Sequence, residues 1–419
     1  MDTDRTLEAG PEELTNGLSR RDFLKISGAG LAGASLLLSS PGRASAASSS
    51  YIEFNEHGGG HFSNGNKRGV AVRNGTLRLS NPARSGDNYV GWLTSRPVGT
   101  PFAYDTLIPS WDARTPPGTR MVVMVRVRYG GRWSDWLSLG SYSAAGRSRS
   151  TSPTKPNWRV NVDTIQSRNG QRAGAYQYHV RLISNRRDRT PIVRNVSLVA
   201  SQSWRHGDSI NVGNLKRAWG KSMNVPERSQ YDYDAGAAWC SPTSLSMVTA
   251  YWANRYNRNG WNRSVPATAR GVYDAGARIW GNWPYTTGFG GHLNLRSRVT
   301  RFNSVQQLER WVDAGIPVIT SIAWDNRYSD RRLNNASIYR ANYGHLLVVV
   351  GFTRNGHVIV NDPAASPRSQ VRRVYNRGQF ARAWLNSDRW MGGRSDGVVY
   401  LVHPRNKGIP SSWAARGSW

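Results

Sequence analysis

Between residues 51 and 202 apolar and polar positions alternate with a period of two. In "TRMVVMVRVRYGGRWSDWLSLGSY" Met121, Val123, Val125, Val127 and Tyr129 fall on one face, opposite Arg120, Val122, Met124, Arg126 and Arg128. Gly130-Gly131 supplies a turn, and a Trp-rich run follows. "YQYHVRLIS" and "TPIVRNVSLVAS" repeat the alternation, with polar turns such as "SRNGQ" between runs. Short strands at regular spacing, with no long helical period, predict an all-β sandwich or jelly roll. Residues 203–222, "SWRHGDSINVGNLKRAWGKS", carry neither period and read as a linker.

From Val225 the pattern mixes helix and strand. Leu245, Val248 and Trp252, with Met247 and Tyr251 beside them, recur at spacings of three and four, which predicts a largely buried helix from Ser241 to Trp252. Pro242 suits its first turn, where a missing N–H costs nothing. Ser304 and Gln307 form a capping-box pattern ahead of Leu308, Trp311 and Val312, and Gly315 stops that helix. A strand follows from Ile316 to Trp324. "YGHLLVVVGFTRNGHVIVNDPAA" then reads as two strands around Arg354-Asn355-Gly356, and Val398 to Val402 as one more. The expected class is α+β, with a helix packed on an antiparallel sheet.

The first residues change the setting. "SRRDFLKISGAGLAGASLLLSSPGRASAASSS" has Arg20-Arg21, a mildly apolar Gly/Ala-rich stretch from Ile26 to Leu38, and a small-residue cleavage site at Ala44-Ser45-Ala46. This is the pattern of a twin-arginine secretory signal, too short and too rich in Gly and Ser to anchor in a membrane. A secreted, extracytoplasmic protein is expected. Five domain-level segments follow: the signal at 1–46, the β-domain at 47–202, a linker at 203–224, a second domain at 225–404 and a tail at 405–419. About 180 residues suffice for a core, so the second domain is expected to be separable from the first.

The formal net charge is +30, and removing residues 1–46, which carry −1, leaves +31. Such a field attracts acidic cell-wall polymers, nucleic acid or anionic surfaces. The arginines are scattered and no nucleic-acid module appears, so a non-specific tether to an acidic envelope is expected, with no specific nucleic-acid partner. Tryptophans 92, 111, 133, 136 and 158 suit an aromatic sugar-binding platform, or else core packing. A monomer is expected.

Candidate chemistry centres on Cys240, the only cysteine of the chain. It falls at the predicted start of a helix, where unpaired N–H groups and the helix dipole favour thiolate over thiol. His345 begins the first strand of the later hairpin and Asp362 ends the second. Residues facing each other across an antiparallel pair share a side of the sheet. One parity of register puts Asp362 on the side of His345; the other, reached with a three-residue loop, puts Asn361 there. A two-residue Asn355-Gly356 turn gives the Asp362 parity but leaves the pair four positions apart. Direct opposition needs a longer loop or a bulge near Phe352–Gly356. His292 and His357 have no carboxylate or cysteine at ligand spacing, so neither a metal nor another cofactor is expected.

These residues carry a resemblance. "VPERSQYDYDAGAAWCSPTSLSMVTAYW", "GNWPYTTGF", "AGIPVITSIAW", "GHLLVVVGF" and "VNDPAA" make residues 225–404 similar to the papain-fold cysteine peptidases of family thirty-nine, the bacteriocin-processing, double-glycine type, and to their secreted bacterial relatives. The resemblance implies a papain-like fold and an exported peptidase cutting amide bonds without a cofactor. It also implies Cys240 as nucleophile, His345 as general base and acid, Asp362 as the residue orienting the imidazole, and Gln230 as the side-chain half of an oxyanion hole. Ser241 departs from the glycine usual after the nucleophile. Peptide or peptidoglycan is the expected substrate, with a cell-wall amidase or endopeptidase as the second enzyme reading and a silent envelope-binding protein as the third.

Overall fold

The computed structural model describes residues 51–206, 212–386 and 396–410. The signal expected over 1–46 and residues 411–419 of the tail lie outside the described residues. The first domain begins with β1 (Ile52–Gly58), a helical turn α1 (Gly59–Ser63), β2 (Asn66–Arg68), β3 (Val70–Arg73), β4 (Thr76–Leu79), β5 (Ala83–Ser85), β6 (Asn88–Thr94) and β7 (Val98–Tyr104). It continues with β8 (Thr106–Arg114), β9 (Thr119–Tyr129), β10 (Arg132–Trp133), β11 (Leu137–Tyr142), β12 (Trp158–Asn161), β13 (Thr164–Ser167), β14 (Ala173–Ser184) and β15 (Ile192–Ser201).

These strands make two antiparallel sheets. One has the order β12-β13-β8-β15-β4-β3, with β1 also on β15; the other runs β10-β9-β14-β6-β2, with β11 on β9, β5 on β6 and β7 on β14. The period-two reading holds at β9, where Met121, Val123, Val125 and Val127 are buried and the alternate residues are not. Gly130 and Gly131, both at positive φ, form the two-residue turn to β10, a backbone that glycine adopts freely. The sheets meet through rings: Trp158 lies 6.3 Å from Tyr104 and 6.0 Å from Tyr129, and Trp111 lies 5.4 Å from Tyr142. Trp111 and Trp158 are therefore core, and they leave the proposed aromatic platform.

The second domain runs α2 (Cys240–Tyr256), α3 (Val265–Val272), α4 (Trp283–His292), β16 (Arg296–Arg301), α5 (Val305–Asp313), β17 (Val318–Asp325), β18 (Ala341–Phe352), β19 (Val358–Asn361), β20 (Arg372–Tyr375), α6 (Arg377–Leu385) and β21 (Val398–His403). Its antiparallel sheet has the order β16-β21-β17-β18-β19-β20. The capping box at α5 is present, with the Ser304 side chain accepting from the Gln307 N–H and the Gln307 side chain returning to the Ser304 N–H. The second domain, expected as α+β with a helix on an antiparallel sheet, mixes helices with a sheet that is antiparallel throughout. Among the described residues no helix is long and apolar enough to cross a membrane.

Two expectations change here. The segment read as a linker is a strap bound to the second domain. Met223 N donates to Val350 O (2.8 Å), Phe352 N to Lys221 O (2.9 Å), and Leu215 N and Trp219 Nε1 to the buried Glu309 carboxylate. The two domains also share a seam centred on α4. Trp283 N donates to Asp163 Oδ2 (3.0 Å), and Tyr285 Oη donates to the carbonyls of Leu139 and Ser141. Gly288 and Gly291 let α4 lie against β8 and β11: a Cβ at Gly291 would stand 2.8 Å from Ala113 N, and one at Gly288 2.7 Å from the Tyr142 ring. Glycine is the residue that permits so close an approach. The seam argues against a freely separable second domain.

Candidate active site

Cys240 opens α2 and is half-buried. Every residue from Ser241 to Ala253 is buried, because the helix is covered on all sides. Trp252 Nε1 donates to Val402 O (2.8 Å) at one end, and Ser244 Oγ donates to Leu346 O (3.1 Å) at the other. The second bond fixes the first turn of α2 beside His345.

His345 Nε2 and Asp362 Oδ1 are 2.7 Å apart. The same ring hydrogen-bonds the Cys240 side chain. With Nε2 engaged on Asp362, Nδ1 is the nitrogen left for sulfur. Trp324 on β17 meets the ring edge-on at 5.6 Å. Asp362 is fully buried and accepts three more bonds, from Ala364 N (3.0 Å), Ser337 Oγ (2.8 Å) and Tyr375 Oη (2.6 Å).

A β-bulge decides between Asp362 and Asn361. Next to the turn Phe352 pairs with Val358 and Gly351 with Ile359, a parity that would bring Asn361 to the histidine's side. Val350 is skipped in the pairing with β19, and beyond it Val349 pairs with Val360 and Val348 with Asn361. One extra residue reverses the parity, so Asp362 joins His345 as a diagonal neighbour. Asn361 faces the other way: its Nδ2 donates to Val225 O (3.0 Å) and its Oδ1 accepts from Arg372 Nε (3.2 Å).

The electrostatics follow from this packing. Burial alone would push the Cys240 thiol up, but the hydrogen bond and charge of His345, with the N–H groups of Leu346 and Ser241, bring it below its ordinary value. Burial would likewise push His345 down; the Asp362 carboxylate and the Cys240 sulfur outweigh it and raise the imidazole to about 10. Asp362 falls to about 2, since His345, Tyr375 and the Ala364 N–H overcome its desolvation. All three shifts favour a thiolate–imidazolium pair backed by a carboxylate.

Gln230 is buried on a single 3-10 turn, Gln230–Asp232. Its N–H donates to Pro363 O (2.8 Å) and its Nε2 to Ala237 O (2.9 Å), three residues before the cysteine. Ser241 is buried, with its hydroxyl 3.1 Å from Thr286 Oγ1 on α4. Ser337, Tyr375 and Trp324 carried no signal in the sequence. Tyr231 did not either: it is exposed and close enough to feel the charges of Cys240 and Asp362. His292 lies at the seam near Thr115 and His357 against Arg377, both away from this cluster. Among the described residues no three His, Cys, Asp or Glu side chains form a metal-holding group.

A thiol at a helix start, an imidazole on it and a buried carboxylate behind are the parts of a cysteine hydrolase. Comparison with known proteins gives the family. Residues 222–390 match the Peptidase_C39 like family and residues 48–201 match the Peptidase C39 N-terminal domain. The chain thus carries a C39-like peptidase domain behind a C39-type N-terminal domain, and it is a cysteine peptidase. No curated protein matches it. Among solved structures it is similar to a C39-like peptidase from Bacillus anthracis, at 16% identity and a TM-score of 0.30, over 44% of this chain and 100% of that one. It is also similar to the C-terminal CBM6 of LamC from Zobellia galactanivorans, at 14% identity and a TM-score of 0.20, over 35% and 98%. Neither likeness is strong enough to carry a role across.

Proposed function

We propose that Cys240 is the nucleophile of a peptide-bond hydrolase, with His345 as general base and acid, Asp362 as the group orienting the imidazole, and Gln230 with the backbone N–H at the helix start as the oxyanion hole. The observation that carries this reading is the His345–Asp362 bond of 2.7 Å on a ring that also holds the Cys240 sulfur. The thiolate attacks the amide carbonyl, and charge gathers on oxygen. His345 gives its proton to the leaving nitrogen, which departs as an amine and leaves a thioester. The neutral imidazole then takes a proton from water, hydroxide attacks the thioester, and the thiolate is released. The helix bearing the nucleophile and the sheet bearing His345 and Asp362 support a papain-like arrangement. We also infer that residues 1–46 direct export by the twin-arginine route.

The mature charge of +31 favours one second reading of the same chemistry, in which the amide lies in the peptides of an acidic cell wall. Peptide libraries and purified sacculi, each treated with the wild type and with Cys240→Ala, test both. A thioester adduct seen by mass spectrometry during turnover, absent from Cys240→Ala, is the expected result. Full activity in Cys240→Ala would remove the proposal.

A further inference from the structure

The outward face of the sheet built on β6, β9 and β14 is used by nothing described so far. Trp133, Arg126, Trp136, His179 and Trp92 form a row across it. The guanidinium carbon of Arg126 lies 4.8 Å from the ring centres of both Trp133 and Trp136. His179 stands 5.7 Å from Trp136 and 5.5 Å from Trp92. All five side chains are half-buried rather than core.

Arg126 is held in place. Its Nε donates to Gln177 Oε1 (2.8 Å), and Gln177 Nε2 is anchored on Ser95 O. Its two Nη groups make no hydrogen bond among the described residues. A guanidinium fixed between rings, with its fork unoccupied, is preorganised for an anion that accepts two parallel bonds. The surroundings agree in charge. β2, β6, β9 and β14 contain no Asp or Glu, Arg68, Arg128 and Arg181 are exposed on the same face, and Asp135, the acid between Trp133 and Trp136, is paired with Lys155 at 3.3 Å. The row crosses three strand spacings of about 4.8 Å, roughly 14 Å, which suits a polymer rather than a single ion.

We propose that this face binds an acidic polysaccharide of the uronate type, with Arg126 taking a carboxylate and Trp92 and Trp136 stacking on sugar rings. A uronate carries its carboxylate one bond from the ring, so an apolar ring face and an anion arrive together. The Arg126 fork lies 4.8 Å from the Trp136 ring centre, so an anion acceptor and aromatic surface stand side by side on this face. A nucleic acid is gripped through its phosphates by any arginine and would not single out Arg126. The proposal is independent of the peptidase chemistry and gives the overall positive charge a specific seat.

The test is binding of polygalacturonate oligosaccharides to the mature chain at 150 mM salt, beside neutral dextran, polyphosphate and DNA. Uronate should bind more tightly than all three. Arg126→Met should weaken it at least tenfold, Arg126→Lys several-fold, Trp92→Ala about fivefold, and Arg181→Ser less than threefold. Cleavage of small peptides should stay unchanged in each. Thermal melting checks folding; where Arg126→Met does not fold, Arg126→Lys and Trp92→Ala give the answer. Equal binding of uronate, polyphosphate and DNA, with Arg126 and Arg181 variants alike, would mean diffuse charge alone. Equal dextran binding, or none to uronate, would also overturn the proposal.

Discussion

Asp362 at the site and Asp112 at the seam between domains are both fully buried carboxylates ringed by donors, yet their acidities move in opposite directions. Asp362 is held low by one imidazole, two hydroxyls and a backbone N–H. Asp112 accepts from Arg405 Nη2 at 2.5 and 2.7 Å and from Arg194 Nη1 at 3.1 Å, but burial outweighs both cations and pushes its carboxyl up. Arg194 is pushed down for the same reason. A seam of that kind fixes how two surfaces dock more than it stabilises them. The site differs because its cation can give up its proton. The same ingredients give a docking contact in one place and a reactive pair in the other.

The largest effect should come from breaking the seam altogether. A chain cut to residues 223–404 exposes α4 with Trp283, Tyr285 and Phe289, and Tyr285 loses its acceptors on Leu139 and Ser141. It should be insoluble or unfolded by circular dichroism and inactive. A cooperative melt with full peptidase activity would show that the first domain is only attached.

Next comes a matched pair of substitutions. Asp362→Asn should lower kcat/KM by about 10²–10⁴-fold in folded protein, because the amide holds the ring in the wrong tautomer. Asp112→Asn removes an equally buried charge and should cost about 1–3 kcal/mol in melting experiments while changing kcat/KM less than threefold. Equal activity losses would mean that the seam controls the site and the contrast fails.

A third outcome is read against pH. His345 is raised from 6.5 to about 10, so its contribution to stability is complete below 6.5 and is lost as pH rises through 10. Asp362 is depressed from 3.8 to about 2, so its contribution is present above 3.8 and is lost as pH falls through 2. Activity needs thiolate and imidazolium together. The kcat/KM profile should rise at a pH below the ordinary thiol value and fall near 10, and Asp362→Asn should move the alkaline limb to lower pH. An alkaline limb unmoved by that change would detach Asp362 from His345.

The hairpin shows where the sequence stops informing. Its strands, its turn at Gly356 and the two alternatives for the histidine's partner follow from alternation and parity. The bulge at Val350 does not, since a third valine in a buried run looks like its neighbours. Its one trace is Gly351, where a Cβ would stand 2.4 Å from Lys221 O on the strap. The strap shows no pattern in the sequence because its backbone and its Trp219 indole bond to distant Glu309 and β18, which no local period reports. Ser337 and Tyr375 reach Asp362 from 25 and 13 residues away, again without pattern. Trp111 and Trp158 were ambiguous because a strand tryptophan looks the same in sequence whether it faces core or solvent. Only the two-sheet packing separates them from Trp92, Trp133 and Trp136.

The smallest effect tests whether seam and site communicate. Ser241 follows the nucleophile, is fully buried, and touches Thr286 of α4, one residue from the Tyr285 that grips the first domain. Ser241→Gly removes that contact and a second, 3.4 Å, to the Tyr400 hydroxyl of β21. Thr286 Oγ1 keeps its bond to Asn282 O (2.9 Å), so that hydroxyl is not stranded. The Ser241 N–H toward the sulfur is backbone and survives. The remaining cost is the freedom of a glycine in a helix, about 0.5–1 kcal/mol, which for a chain of this size lowers Tm by a few degrees at most. Peptide turnover should stay within about threefold, because each catalytic contact named here is unchanged. A tenfold gain would show that the serine hydroxyl restrains the nucleophile. A tenfold loss with folding intact would show that the Ser241 hydroxyl, which joins Cys240's helix to α4 and β21, transmits the position of its neighbours to the nucleophile.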